Sequence, residues 1–334
     1  MDTLTQALLG AAVAYAVAGK QSPRKALLAG AAIAVAPDLD IFISYANDLD
    51  KMTLHRSWTH SWLVHTLIAP LLALFISRFD KSLSWPRWVL LIWLVLVTHA
   101  GLDALTVYGT QLFWPFMPHP ASGGSVFIID PIYSLLLLAG FIGVLFWPSI
   151  KTHRLMLTTF GLSCLYLIWG FAAQQWVAAQ TRATLAEQNI DYQHLQVSAA
   201  PLNTLLWRVV VVGDEYYYQG FRSVFDGNAS LELTRYQRGK NVVELVGESP
   251  TLTRIDWFTR GQFKVEQKDD LIIVSDLRMG MEPYYFFRFR LAAFEEGEWR
   301  LIEPKQIPMF RNSTKGLRWV WQRIWDPKAE FHID

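Results

Sequence analysis

Six apolar stretches crowd into the first 178 residues, at about 4–18, 26–37, 62–77, 88–107, 131–147 and 155–177, and most of the charge lies after them. A helix that crosses a bilayer needs roughly 20 apolar residues, with a range of about 17–25. The stretches at 88–107 and 155–177 meet that length, and 131–147 sits at its limit. The first three are short, and the second is broken by Pro37, Asp38 and Asp40. Short or broken helices are tolerated at membrane depth where they are buried in protein or line a wet cavity. The Ala and Gly content of the first two lets helices approach closely. The pattern predicts an α-helical transmembrane bundle of about six apolar helices over residues 1–178, some short or broken. A β-rich soluble domain follows over 179–334.

Composition narrows the remaining classes. Hydrophobic residues make up 52% and charged residues 18%, against about 25% charged in a soluble domain. That balance excludes a disordered chain. A single cysteine excludes an internal disulfide scaffold. A net charge of +1 gives no electrostatic basis for nucleic acid binding.

The start, Met1-Asp2-Thr3, has no basic segment before its apolar run, so it reads as a retained helix and not a cleaved signal. The connections at 19–25, 78–87 and 148–154 carry Lys20, Arg24, Lys25, Arg78, Lys81, Arg87, Lys151 and Arg154. The alternate connections, 46–61 and 103–130, carry only Lys51 and Arg56. The positive-inside rule places the first set in the cytoplasm. The reading is a multi-pass membrane protein with the second half extracytoplasmic.

In that half, Leu206–Val212, Tyr216–Phe225, Ser230–Tyr236, Val242–Val246, Gln262–Gln267, Leu271–Ser275, Tyr284–Phe294 and Trp299–Ile302 read as strands. Turn signals such as Asp226-Gly227-Asn228 separate many of them. Residues 314–325 differ. Leu317, Val320, Trp321 and Ile324 follow helical spacing, with the cations Lys315, Arg318 and Arg323 among them. This segment reads either as an interfacial amphipathic helix or as one packed on the sheet. The protein partner of the β-rich domain is left open by the sequence.

The chemistry is concentrated before residue 131. His55, His60, His65, His99 and His119 lie there with Asp38, Asp40, Asp103 and Asp130. Ionisable groups in or beside apolar spans are costly and therefore mark functional sites. His99 and Asp103 are four apart and share a helix face. Imidazole and carboxylate can together ligate zinc, or form a hydrogen-bonded pair that fixes packing. Asp38 and Asp40 point apart on a regular helix, but a chain leaving its helix near Pro37 can turn both to one centre. As alternatives they cap or form a turn. In His55-Arg56-Ser57-Trp58-Thr59-His60-Ser61 the two histidines converge only if His55 precedes a helix start, which Ser57 or Thr59 can cap. Arg56 suits a phosphate or a ligating carboxylate. His65 reads as a packed or supporting histidine. The single Cys164 reads as packing.

By the charge rule, Asp2, Asp38, Asp40, His55, His60, Asp103 and Asp130 all fall at the outer ends of their helices. Independent structural pairs would scatter to both faces, so this convergence favours one site. Histidines mixed with carboxylates suit a divalent metal, one ion or two, that activates water and clamps a phosphoryl-like group.

These motifs, in this order, resemble the YdjM-type family of bacterial membrane-bound metal-dependent hydrolases. The matching segments are Met1-Asp2-Thr3-Leu4-Thr5-Gln6, Pro37-Asp38-Leu39-Asp40, His55 to Ser61, Thr98-His99-Ala100-Gly101-Leu102-Asp103, Tyr108-Gly109-Thr110-Gln111-Leu112-Phe113-Trp114-Pro115 and Ile129-Asp130-Pro131-Ile132-Tyr133. The resemblance covers roughly residues 1–178. Many relatives carry Thr-His near the start where this chain has Thr5-Gln6, so position 6 departs from a ligand role and suits a bond to bound water or phosphate. The family is distantly similar to the zinc-dependent phospholipase C and nuclease superfamily, whose His-x-x-x-Asp pair matches His99 and Asp103. The resemblance implies zinc and phosphoester hydrolysis. Asp38, Asp40, His55, His60, His99 and Asp103 would hold the metal. Arg56 and Asp130 would serve catalysis. Asp2, Gln6, Thr59, His65 and Gln111 would support the ligands or the substrate, expected to be a membrane lipid or lipid-linked phosphate. The rival reading is a metal- or proton-coupled transporter, or a non-catalytic membrane assembly or binding protein. The inner halves of the apolar stretches are almost free of charge, which favours the hydrolase.

Overall fold

The computed structural model describes residues 1–116, 118–227, 229–309 and 313–331. Asn228 of the expected turn lies outside them. The chain divides into two units, Met1–Ile43 with Arg56–Phe171, and Ser44–His55 with Ala172–Asp334.

The first unit is helical. It contains α1 (Thr3–Ala18), α2 (Pro23–Val35), α4 (Trp62–Phe79), α5 (Trp85–Ala104), α6 (Pro131–Phe146) and the first part of α7 (Ile150–Glu187); α3 (Asp48–Leu54) belongs to the second unit. Among the described residues, three helices, α4, α5 and α7, are long and apolar enough to cross a membrane, while α1 and α6 are shorter apolar helices. The outward side chains of α4, including Leu67, Leu71, Phe75 and Phe79, are exposed, as suits a surface solvated by lipid.

Local chemistry sets the helix starts. Asp2 caps α1 by accepting from the Thr5 amide, and Ser61 caps α4 by accepting from that of Val64. Asp130 caps α6, accepting from Ile132 and Tyr133, with Pro131 in the first turn where no amide donor is needed. Helices α1 and α2 meet through glycine. A Cβ on Gly30 would lie 2.2 Å from the Gly10 carbonyl oxygen, and one on Gly10 would lie 2.2 Å from the Ala34 Cβ. Only bare backbone permits that approach. Leu91, Ile92, Val95, Tyr133 and Leu137 fill the core behind it.

Beyond α2 the chain tightens into a 3-10 helix, Ala36–Phe42, and a second short one spans Trp58–His60 before α4. These two turns place the polar residues of the site.

The second unit holds two four-stranded antiparallel sheets. One is ordered β1-β2-β3-β4, from His194–Ala199, Leu206–Val212, Tyr216–Ser223 and Thr234–Gln237. The other is ordered β10-β9-β6-β5, from Glu298–Leu301, Arg288–Glu295, Leu271–Asp276 and Phe263–Lys268. A small hairpin pairs β7 (Gly280–Met281) with β8 (Tyr284–Tyr285). Every residue of β2 is buried, so its run of valines does not alternate.

Several elements depart from the sequence reading: α3 and β7 have no counterpart in it, and the expected strand Tyr284–Phe294 is split into β8 and β9. Residues 242–246, expected as a strand, lie in helix α8 (Lys240–Val246), bounded by Gly239 and Gly247 at positive φ. None of its residues is buried, so Val242 and Val243 have no sheet face to join. Helix α9 (Pro250–Thr259) has no counterpart in that reading, although Ser249 caps it and Leu252, Ile255 and Phe258 are buried at three-residue spacing. Strand β1 has none either. The C-terminal helix, α10 (Ser313–Trp325), is present.

Candidate metal centre

Helix α5 is the rigid wall of the site. His99 and Asp103 stand one turn apart on its buried face. Asp38 comes from the 3-10 helix after α2, and His60 ends the short turn before α4. Asp38, His60, His99 and Asp103 form a group that could hold a metal ion, with one ligand atom from each and all four within 4.8 Å of one another.

The spacing is specific. His60 Nε2 lies 3.1 Å from His99 Nε2, 3.4 Å from Asp38 Oδ1 and 3.2 Å from Asp103 Oδ2. His99 Nε2 lies 3.6 Å from both carboxylate oxygens. Ligands about 2.0–2.1 Å from a tetrahedral zinc ion stand about 3.3–3.4 Å from one another. These five ligand-to-ligand distances bracket the edge of that tetrahedron, and the two carboxylates each offer an oxygen within 4.8 Å of the other. Two imidazoles and two carboxylates are also a donor set that zinc accepts.

A hydrogen-bonded chain orients His60. The Thr59 hydroxyl donates to Asp40 Oδ2 at 2.9 Å and lies 3.0 Å from His60 Nδ1. Its single proton goes to the carboxylate, so it accepts from Nδ1–H, and the lone pair of Nε2 faces the group. Metal-binding histidines are held this way through their other nitrogen. Asp103 is held similarly. Its Oδ1 accepts from Gln6 Nε2 at 2.9 Å and contacts the α-amino group of Met1, while Oδ2 faces the histidines.

Charge adds to the fit. Burial alone would raise the Asp38 carboxyl, but the imidazoles of His60 and His99 outweigh it and hold it below the usual carboxylate range. Burial disfavours the charged form of His60, yet hydrogen bonds from Nε2–H to Asp103 and Asp38 outweigh that and push it up, so a proton at Nε2 competes with an ion for the same place.

The other expected residues lie around this centre or apart from it. Asp40 is not one of the four. Its Oδ2 accepts from the Arg56 amide at 3.0 Å as well as from Thr59, so it braces the loop. His55 is also outside the group. It ends α3 as its C-cap and falls in the second unit. Arg56 is buried at positive φ, with Nε 3.2 Å from Asp103 Oδ2 and its guanidinium 5.1 Å from the Tyr108 ring centroid. It thus faces a carboxylate of the centre. Asp130 is buried as the cap of α6 and accepts from the Tyr166 hydroxyl at 2.8 Å. Oδ1 serves that helix start and Oδ2 the Tyr166 hydroxyl, and it is not among the four. Asp2 caps α1. His65 Nε2 lies 2.8 Å from the Thr59 carbonyl oxygen, where it props the turn behind His60. The Gln111 backbone amide donates to the Arg56 carbonyl at 3.0 Å.

Sequence reasoning carried Tyr108 only as part of a matching segment, with no role, and did not single out Tyr166. It also missed the Met1 contact, which no spacing rule signals.

A helical membrane unit with a buried two-histidine, two-aspartate group defines the class: a membrane protein with a candidate metal centre. The chain belongs to the family described as YdjM inner membrane protein, which matches residues 1–177. It is 30% identical over 116 residues to inner membrane protein YbcI of Escherichia coli (strain K12), covering 33% of this chain and 64% of that protein. It is 26% identical over 196 residues to the uncharacterized protein YfhP of Bacillus subtilis (strain 168), covering 55% of each. The chain thus spans less than two thirds of the length of either relative. No solved structure matches it.

Proposed function

We propose that this chain is a membrane-bound metal-dependent hydrolase that cleaves a phosphoester in a membrane lipid or lipid-linked substrate at the outer face of the cytoplasmic membrane. The reading rests on the near-tetrahedral spacing of Asp38 Oδ1, His60 Nε2, His99 Nε2 and Asp103 Oδ2.

A divalent ion, zinc by the donor set, would supply Lewis-acid polarisation of a phosphoryl oxygen and activation of water. The chain's own residues do the rest. Thr59 and Asp40 fix the tautomer of His60. Gln6 holds one oxygen of Asp103 so that the other faces the histidines. Arg56 places a fixed positive charge beside the centre, where an anionic substrate group gains from it.

The surroundings support an amphiphilic substrate. Asp38 is the least buried of the four, with a side chain 13% exposed. Its neighbours Leu39, Ile41 and Phe42, and Trp58 two residues before His60, are exposed apolar side chains. A phosphate approaching Asp38 would bring its acyl or prenyl chain against them. The basic connections on alternate loops support the outer face.

The test uses purified zinc-loaded protein in lipid nanodiscs with a panel of phospholipids and prenyl phosphates. The expected result is phosphate or headgroup release that falls at least about a hundredfold in His99→Ala, as loss of a metal ligand implies. Full metal loading with no turnover across the panel would overturn the hydrolase reading.

A further inference from the structure

Helix α10 presents three sectors. At about 100° per residue, Trp319, Val320, Arg323 and Ile324 fall on one side, and all four are buried. Trp319, Val320 and Ile324 pack with Ala200 and Leu206. Arg323 donates to both oxygens of Asp226, at 2.8 and 2.9 Å. This side is the packed helix of one sequence reading.

A second side holds Leu317, Trp321 and Trp325, at i, i+4 and i+8. Trp321 is 63% and Trp325 55% exposed, and Phe225, also 55% exposed, stacks on Trp325 at 4.9 Å. A soluble surface seldom leaves two indoles and a phenyl ring side by side in water. The third sector, between the other two, bears exposed Arg318 and Lys315. An aromatic ridge bordered by cations is the pattern of a helix lying in a lipid headgroup layer, where indole is favoured and cations meet anionic lipid. Helix α7 adds continuity. It contains an apolar window long enough to cross a membrane and runs on as one helix into the unit that carries α10. A span through that window would tether the unit to a bilayer by its own chain.

We infer that the Leu317–Trp321–Trp325 ridge of α10, with Phe225, docks into the headgroup region of an anionic phospholipid bilayer, with Arg318 on the lipid phosphates. The two sequence readings of this helix then hold on different faces of one element.

The experiment uses the full chain with Cys164→Ser and Leu317→Cys, carrying a nitroxide at position 317. It is placed in phosphatidylcholine nanodiscs with or without phosphatidylglycerol, and collision with a water-soluble nickel relaxant is read by electron paramagnetic resonance. A label at Glu296→Cys, on an exposed turn, reports free water. The expected result is several-fold protection at 317 relative to 296 in discs with phosphatidylglycerol. Trp321→Ala with Trp325→Ala should abolish it, since both leave the Arg323–Asp226 pair in place. Arg318→Gln should lower the docked-to-free ratio about fivefold, the worth of one cation at an anionic surface. Equal nickel access at 317 and 296 in both lipid mixtures would overturn the inference. Protection that follows protein concentration in detergent and ignores lipid would assign the ridge to a second copy and also overturn it.

Discussion

His60 Nε2 and His99 Nε2 stand 3.1 Å apart, from residues 39 positions apart in the chain. One comes from a short turn and the other from a long apolar helix. A carboxylate oxygen of Asp38 and one of Asp103 share the space between them.

The Asp40–Thr59–His60 chain should tune the centre without emptying it. Thr59→Val keeps the shape and removes the hydroxyl. Metal affinity should fall about 10–100-fold, as for other partners of ligating histidines, with stoichiometry unchanged. Competition with a chromophoric zinc chelator reads both quantities.

Asp38 and Asp40 should separate cleanly. Asp38→Asn replaces a charged carboxylate ligand with a neutral, weaker amide and should lose metal. Asp40→Asn weakens the acceptor of the Arg56 amide and the Thr59 hydroxyl, and should cost about 1–3 kcal/mol of stability while metal is retained at saturating concentration. Thermal unfolding in detergent, beside metal content, distinguishes them.

Metal uptake should fall on acidification. His60 and His99 ligate only as neutral imidazoles, and the carboxylates only when ionised, so each proton gained competes with the ion. Binding titrations at descending pH should show steadily weaker affinity. Affinity that is flat with pH would contradict imidazole ligation.

Gly30→Val should break the first unit. Its side chain would enter the space occupied by the Gly10 carbonyl and the Ala14 Cβ, 2.2 and 2.4 Å from the new Cβ. Overpacking of this kind costs about 1–3 kcal/mol or more. The expected outcome is loss of a monodisperse peak on size exclusion in detergent.

Much of this was legible in the sequence for identifiable reasons. His99 and Asp103 lie inside a continuous apolar helix, so their periodicity alone puts them on one face. Asp38 and Asp40 were harder. Regular helical geometry separates them, and only the 3-10 turn shows that Asp38 joins the group while Asp40 braces Arg56 and Thr59. His55 shares its motif with Arg56, which touches Asp103, yet His55 itself ends α3 and is not one of the four. No periodicity tells these two adjacent residues apart. In the second half, β2 was readable from its valine run. By contrast, α8 was misread because β-branched residues raise strand propensity even where no sheet is there to receive them. Helix α10 was ambiguous because its packed face and its exposed aromatic ridge are both apolar, and one sequence pattern serves both.

Ligation by Asp38, His60, His99 and Asp103 is tested most simply by elemental analysis of the protein purified from cells, beside His99→Ala and Asp38→Ala. The predicted result is a divalent metal, zinc by its donor set, near stoichiometric in the natural chain and lost from both variants, while His55→Ala and Asp130→Ala retain it. The same metal content in the natural chain and in both ligand variants would contradict a centre built from these four residues.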